Sequence, residues 1–172
     1  MEIMFNNQEE VDFLMSHLDP SFRVLEWGCG GSTLEIAKRV KRLISVEHNL
    51  GWYQKVKPLL PENASLVYIQ RNFEEATGHD GTLEDYRDYI RFPMSFISDA
   101  FKFDVIFIDG RARVECAKVA VKVLKEGGTI FIHDYAHPEP QYRRHEYEVV
   151  EEFLEKTGQV FALAKFKIKG DE

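Results

Sequence analysis

Five short runs in the 172-residue chain are apolar at nearly every position instead of every second one: "FRVLEW", "RLISVE", "SLVYIQ", "FDVIFID" and "GTIFIHD". A strand with one solvated face alternates, whereas a strand that is apolar throughout is buried on both faces, the habit of parallel sheets covered by helices. Parallel neighbours cannot be joined by a tight turn, so each pair needs a crossover, and helical spacing appears where crossovers are due. Val11, Leu14, Met15 and Leu18 form one apolar stripe near the start, and Ala117, Ala120, Val121 and Leu124 form another before the fifth run. Trp52, Val56 and Leu59 make a shorter stripe that Pro58 and Pro61 interrupt. The fold class that follows is α/β: a doubly wound, mostly parallel sheet with helices on both faces. In such a sheet, ligands sit outside the carboxyl ends of the strands, where the strand order reverses.

Composition limits which ligands are reasonable. With 44% hydrophobic residues, the chain can bury one sizeable core, and it reads as one domain over 1–172, with an N-terminal helix within 1–20. No apolar run approaches the roughly 20 residues of a membrane span, and "MEIMFNNQEEVDFL" lacks the order of a signal peptide. Cys29 and Cys116 have no metal-ligand spacing and suit a reducing compartment, so a cytoplasmic protein with no membrane partner is expected. The net charge of −7 argues against nucleic acid as a partner, since neutralising phosphates needs a basic face.

Each strand end carries chemistry. The first is followed by "VLEWGCGGSTLEIA", in which Glu26 precedes Gly28, Gly30 and Gly31. The second ends in Glu47, the third in Asn72 and Phe73, the fourth in Asp109 and the fifth in His133 and Asp134. An acidic residue about 20 positions after a glycine turn can accept hydrogen bonds from both ribose hydroxyls of an adenosine-bearing ligand. Close strand-to-helix packing for the glycines and a solvated strand end for Glu47 are the plainer readings; their combination favours the ligand. A dinucleotide fingerprint needs a third glycine where Thr33 stands, and Glu26 would repel a pyrophosphate held at the helix start. A cationic ligand suits Glu26 better, and S-adenosylmethionine joins an ammonium and a sulfonium to an adenosine.

"LEWGCGG" with "ISVEHN", and "FDVIFIDGRARVECA" with "LKEGGTIFIHDY", resemble the cofactor motifs and the fourth and fifth strand regions of the class I (Rossmann-like) S-adenosylmethionine-dependent methyltransferases, over Phe22 to Tyr135. The third glycine of the family motif is replaced by Ser32, with Gly31 one place early. The resemblance implies a cofactor surrounded by Glu26, Gly28, Gly30, Gly31, Ser32, Glu47, His48, Asn72, Phe73 and Asp109, and a methyl transfer to a small-molecule acceptor, an O-methylation. Family members close the sheet with two antiparallel strands. Here "GQVFALAKFKIK" follows a helix carrying Tyr147, Val150 and Leu154, so one long or split strand is expected and the seventh strand is expected to be short or absent.

Methyl transfer needs an acceptor held in line and a group to take its proton, and Asp109, His133 and Asp134 are the candidates. Asp109 and Asp134 also resemble the carboxylates that hold a divalent cation in metal-dependent O-methyltransferases, which implies Mg²⁺ or a similar ion, although His133-Asp134 stands where those enzymes carry Asp-Asn. The plainer reading of Asp109 is a cap on the helix beginning near Arg111. Arg111, Arg113, Arg143 and Arg144 suggest an anionic acceptor, with Arg111, Arg113, Tyr135 and Arg144 as its binding residues. The connection 71–102 is long enough to hold both a crossover helix and a lid built from Phe92, Met94 and Phe96. A non-catalytic cofactor-binding or regulatory domain, or a nucleotide-dependent oxidoreductase, are the other functions this fold would accommodate.

Overall fold

The computed structural model describes residues 5, 7–72, 82–98, 101–139 and 145–170. Its helices are α1 (Gln8–Met15), α2 (Gly31–Ala37), α3 (Leu50–Val56), α4 (Arg87–Arg91) and α5 (Arg113–Val123). Its strands are β1 (Arg23–Trp27), β2 (Arg42–Glu47), β3 (Ala64–Tyr68), β4 (Phe103–Ile108), β5 (Leu124–Ile132), β6 (Leu154–Val160) and β7 (Leu163–Ile168). They form one sheet in the order β3-β2-β1-β4-β5-β7-β6. The first five strands are parallel neighbours, and β7 runs antiparallel to both β5 and β6. Strand order reverses between β1 and β4, so the crevice available to a ligand opens over Trp27, Glu47, Ile108 and Ile132.

The apolar runs form the central strands because each face has its own cover. Leu25, Trp27, Ile106, Ile108 and Ile130 point to the side covered by α4 and α5, where Cys116, Ala117, Ala120 and Val123 line the buried stripe of α5. Val24, Leu43, Phe107 and Phe131 point to the other side, closed by Leu14 of α1 and Ile36 of α2. Val121, expected in the α5 stripe, is only half-buried.

The carboxyl-terminal region corrects one expectation. The seventh strand is present at six residues, and "GQVFALAKFKIK" is split by a tight turn at Phe161 and Ala162. The sixth strand begins earlier than that stretch, at Leu154, which pairs with Ile168. Tyr147 and Val150 lie on a 3-10 helix, His145–Glu152, and are buried as the apolar spacing required. Cys29 and Cys116 are both free thiols. No helix among the described residues is long and apolar enough to cross a membrane.

Candidate cofactor and acceptor site

A cavity of about 390 Å³ lies at the carboxyl ends of β1, β2, β4 and β5. Its floor is the turn from β1 into α2, with Gly28, Gly30, Gly31 and Ser32 exposed to it. Gly28 has φ of +91°, and a Cβ there would meet Gly110 N at 2.8 Å, so bare backbone at β1 lets the β4 loop pass close by. At Gly30 a Cβ would meet nothing within 4 Å, so the space beside it belongs to the cavity.

Glu26 supports this turn from beneath. It is fully buried and accepts hydrogen bonds from the hydroxyls of Ser32 (2.9 Å), Thr33 (2.7 Å) and Ser45 (2.6 Å). Thr33 Oγ1 in turn accepts from the Gly30 N–H at 2.9 Å, which gives the threonine a task where a dinucleotide fold has glycine. Burial pushes the Glu26 carboxyl up to about 7, against the pull of the three hydroxyls. The residue does not line the cavity, so the expected contact between Glu26 and a cofactor becomes support of the loop that carries one.

Glu47 does face the cavity. Its two oxygens accept from the backbone N–H groups of Cys29 (2.7 Å) and Asn49 (2.6 Å), tying the loop after β1 to the loop after β2. His48 and Trp52 stand beside it on the cavity wall. Burial lowers the His48 imidazole below its ordinary value, with Glu47 opposing.

The β4–β5 side is organised around His133. This ring is buried between two carboxylates, with Nδ1 2.9 Å from Asp109 Oδ1 and Nε2 3.5 Å from Glu10 Oε2. Phe5 stacks on it at 4.7 Å. Burial alone would lower the imidazole, but the Asp109 charge and the hydrogen bonds with Asp109 and Glu10 outweigh it and raise His133 to about 10. Arg113 completes the network. Its Nε donates to Gly110 O at 2.9 Å, another nitrogen donates to His133 O, and the third lies 3.2 Å from Asp134 Oδ2 and 3.5 Å from Asp109 Oδ1. Asp134 is in the left-handed region at φ +53°, which aspartate tolerates better than most residues.

Asp109, His133 and Asp134 each offer a ligand atom, all within 4.8 Å of one another. This donor set does not fit a divalent cation. His133 Nδ1 is taken up with Asp109, and the Arg113 guanidinium already lies against both carboxylates, so two protein cations hold the place the expectation gave to Mg²⁺. Asp109 is not a helix cap either, because α5 begins at Arg113 behind Ala112, whose backbone is left-handed at φ +52°.

The expected site residues therefore divide. The cavity gathers Gly28, Gly30, Gly31, Ser32, Glu47, His48, Asp109, Arg111, Arg113 and Asp134. His133 lies behind Asp109, buried. Asn72 lies apart: its side chain exchanges hydrogen bonds with Asp88, holding the segment around α4. Tyr135 is core, edge-on to Phe166, with its hydroxyl donating to Glu151 Oε1. Arg113 is pinned by carbonyls and carboxylates and is not an open anion receptor. Phe73, Arg143 and Arg144 lie outside the described residues, as do 73–81 and 99–100 of the expected lid. Among the described residues of 82–98 none lines the cavity, and Phe92 and Phe96 pack near Phe103 at the opposite end of β4. Glu10, Phe5 and Tyr147 were not foreseen. Glu10 had a signal, a carboxylate four residues before Leu14 on the apolar stripe of α1.

No protein-family model matches the chain, and no curated protein matches it. Solved structures do. A methyltransferase-like protein from Silicibacter pomeroyi is 25% identical, with a TM-score of 0.73 over 97% of this chain and 88% of that one. The N-methyltransferase NodS from Bradyrhizobium japonicum, in complex with S-adenosyl-L-homocysteine, is 20% identical, with a TM-score of 0.57 over 98% of this chain and 89% of that one. A precorrin 8w decarboxylase from Methanobacterium thermoautotrophicum is 15% identical, with a TM-score of 0.60 over 98% and 92%.

Proposed function

We propose, from the premise that this chain has the class I (Rossmann-like) S-adenosylmethionine-dependent methyltransferase fold, that it is a cytoplasmic enzyme transferring a methyl group from S-adenosylmethionine to a small hydroxylated molecule. The observation that carries the reading is the cavity itself: bare backbone at Gly28 and Gly30 and a buried Glu47 carboxylate meet in one 390 Å³ space at the point of strand-order reversal. Glu47 would accept from the ribose hydroxyls, exchanging or sharing the backbone donors it now holds. Bound S-adenosylmethionine supplies a methyl group already activated on its sulfonium. The chain's part is to place the acceptor in line, exclude water and take a proton. Asp109 is the candidate base: its contacts to His133 and Arg113 are both made through Oδ1, which leaves Oδ2 to receive the acceptor's proton. His133 and Arg113 would hold that carboxylate in place, and Asp134 would border the acceptor. Arg111, on the cavity wall, and Arg144, outside the described residues, are the candidates for meeting an anionic group on the acceptor.

Calorimetry with S-adenosylhomocysteine and with NAD tests the reading. The expected result is binding of the first and none of the second; binding of NAD alone would replace the methyltransferase by an oxidoreductase. A non-catalytic cofactor-binding domain is the second reading, favoured by the internal neutralisation of Asp109 and Asp134. A panel of neutral, anionic and RNA acceptors with labelled cofactor separates the two, because label transferred to a small molecule excludes the non-catalytic reading. Transfer to RNA alone would overturn the acceptor class.

A further inference from the structure

Two buried polar atoms in the described structure have no hydrogen-bond partner, Tyr89 Oη and His48 Nδ1, and they belong to side chains in contact. The His48 ring meets Tyr89 edge-on at 5.4 Å and Tyr86 at 5.1 Å. His48 Nδ1 lies 3.3 Å from Glu47 Oε1, without the alignment of a hydrogen bond. Tyr89 is fully buried on α4, and its hydroxyl presses on the bare Cα of Gly110: a Cβ built there would fall 2.0 Å from Oη and 3.2 Å from Gly28 N. Gly28, Gly110 and His48 all line the cavity, so the phenol tip ends just behind its wall.

A buried hydroxyl without an acceptor destabilises a folded protein, and native structures keep few of them. Phenylalanine would pack the same space without that cost. The phenol also stays a neutral donor, since burial and the nearby Glu47 and Asp109 charges push it well above its ordinary ionisation range. The hydroxyl is therefore a donor held beside the cavity wall without a partner inside the protein.

We propose that Tyr89 is a cofactor-binding residue, whose hydroxyl donates to an acceptor atom on the nucleoside half of the bound cofactor, beside His48 and Glu47, once ligand entry shifts the Gly110 wall. The inference rests on the methyltransferase reading of the cavity and adds a residue outside its glycine and acidic motifs. It also assigns a task to α4, which among the described residues of 82–98 contributes no side chain to the cavity lining.

Tyr89→Phe tests this by removing one oxygen. The expected result is a thermal midpoint unchanged or raised in the free protein, together with an affinity for S-adenosylhomocysteine about tenfold lower. 5′-Methylthioadenosine, which lacks the amino-acid half, should lose affinity by the same factor. Unchanged affinity for S-adenosylhomocysteine in the variant overturns the proposal, and a lowered midpoint with unchanged affinity identifies the hydroxyl as the partner of an internal water. A loss seen with S-adenosylhomocysteine but not with 5′-methylthioadenosine overturns the nucleoside placement. Wild-type protein that binds neither ligand brings down the methyltransferase reading and this assignment with it, an outcome distinct from a variant that binds as wild type does.

Discussion

The two sides of the cavity satisfy their carboxylates in opposite ways. On the β1–β2 side, Glu26 and Glu47 are met by neutral donors, three hydroxyls and two backbone N–H groups. On the β4–β5 side, Asp109, Asp134 and Glu10 are met by the protein's own cations, His133 and Arg113. Neutral donors fix a carboxylate without cancelling its charge, so Glu47 keeps an acceptor's character toward a ligand hydroxyl. Cations orient their carboxylates through charged contacts, and here two cations face three carboxylates, so one negative charge is left over and Asp109 Oδ2 stays open for the proposed role as base. Of the two, the first side offers a ligand hydroxyl an acceptor fixed by neutral donors, and the second fixes its carboxylates with charged ones.

The largest effect expected is on folding, and it separates two glycines of one turn. Gly28→Val puts a β-branched side chain at φ +91° and against the Gly110 backbone, costs of about 1–3 kcal/mol each for strain and overpacking, and the variant should fail to fold or unfold at much lower denaturant. Gly30→Val meets open space and extended backbone, so it should fold and lose its cofactor by occupying the cavity. Denaturation curves beside calorimetry check both. A well-folded Gly30→Val that binds as wild type does would return the glycines to a packing role.

Next comes Glu10→Gln, which leaves His133 two carboxylate neighbours, Asp109 and Asp134, instead of three. Breaking a buried pair costs about 3 kcal/mol at the lower end of the usual range, and Asp109 remains to limit the loss. The pH dependence should change as well. His133 is raised from 6.5 to about 10, so the stability it contributes is fully present below pH 6.5 and is lost as pH rises toward 10. Glu26, raised from 4.5 to about 7, adds an earlier decline between those values. Glu10→Gln should move the upper decline to lower pH and leave the lower one alone; Glu26→Gln should remove the lower one. Unfolding curves collected across pH 4–10 would show it, and a Glu10→Gln profile parallel to wild type would dissolve the contrast between the two sides.

Glu47→Ala belongs to the other side and should act on affinity before stability. A charged acceptor shared with ribose hydroxyls contributes about 1.5–3 kcal/mol, a loss of roughly ten- to a hundredfold in S-adenosylhomocysteine binding. Should Glu47→Ala instead unfold the domain while Glu10→Gln spares stability and weakens the cofactor, the assignment of the two sides is reversed.

How much of this was legible in the sequence follows the same division. Apolar runs and the glycine turn report short-range requirements, and they placed β1 to β5, α5 and the cavity floor. The surroundings of Glu26 are not legible because a carboxylate before a glycine turn looks the same in sequence whether it faces the ligand or three hydroxyls behind it, and Ser45 lies on another strand. Glu10 meets His133 across the whole chain, and no local pattern encodes that pairing. Arg113 looked like a ligand residue because its partners, the Gly110 and His133 carbonyls, are backbone groups that every residue carries. The β6–β7 hairpin was hidden by a two-residue turn without glycine, in which Phe161 itself takes φ +49°.

The smallest expected effect is the one that bears on metal. If Arg113 and His133 neutralise Asp109 and Asp134, then neither chelator nor added Mg²⁺ should change the thermal midpoint or the affinity for S-adenosylhomocysteine, since binding the ion requires displacing a guanidinium held by two carbonyls. Arg113→Ala supplies the contrast. It leaves two carboxylates beside the cavity with His133 as their remaining described cation, and an ion that binds the folded state raises its midpoint by mass action. Millimolar Mg²⁺ should therefore raise the midpoint of Arg113→Ala and not that of wild type. A rise in wild type as well would mean that the guanidinium yields to the ion, and that the β4–β5 side is a receiving site after all.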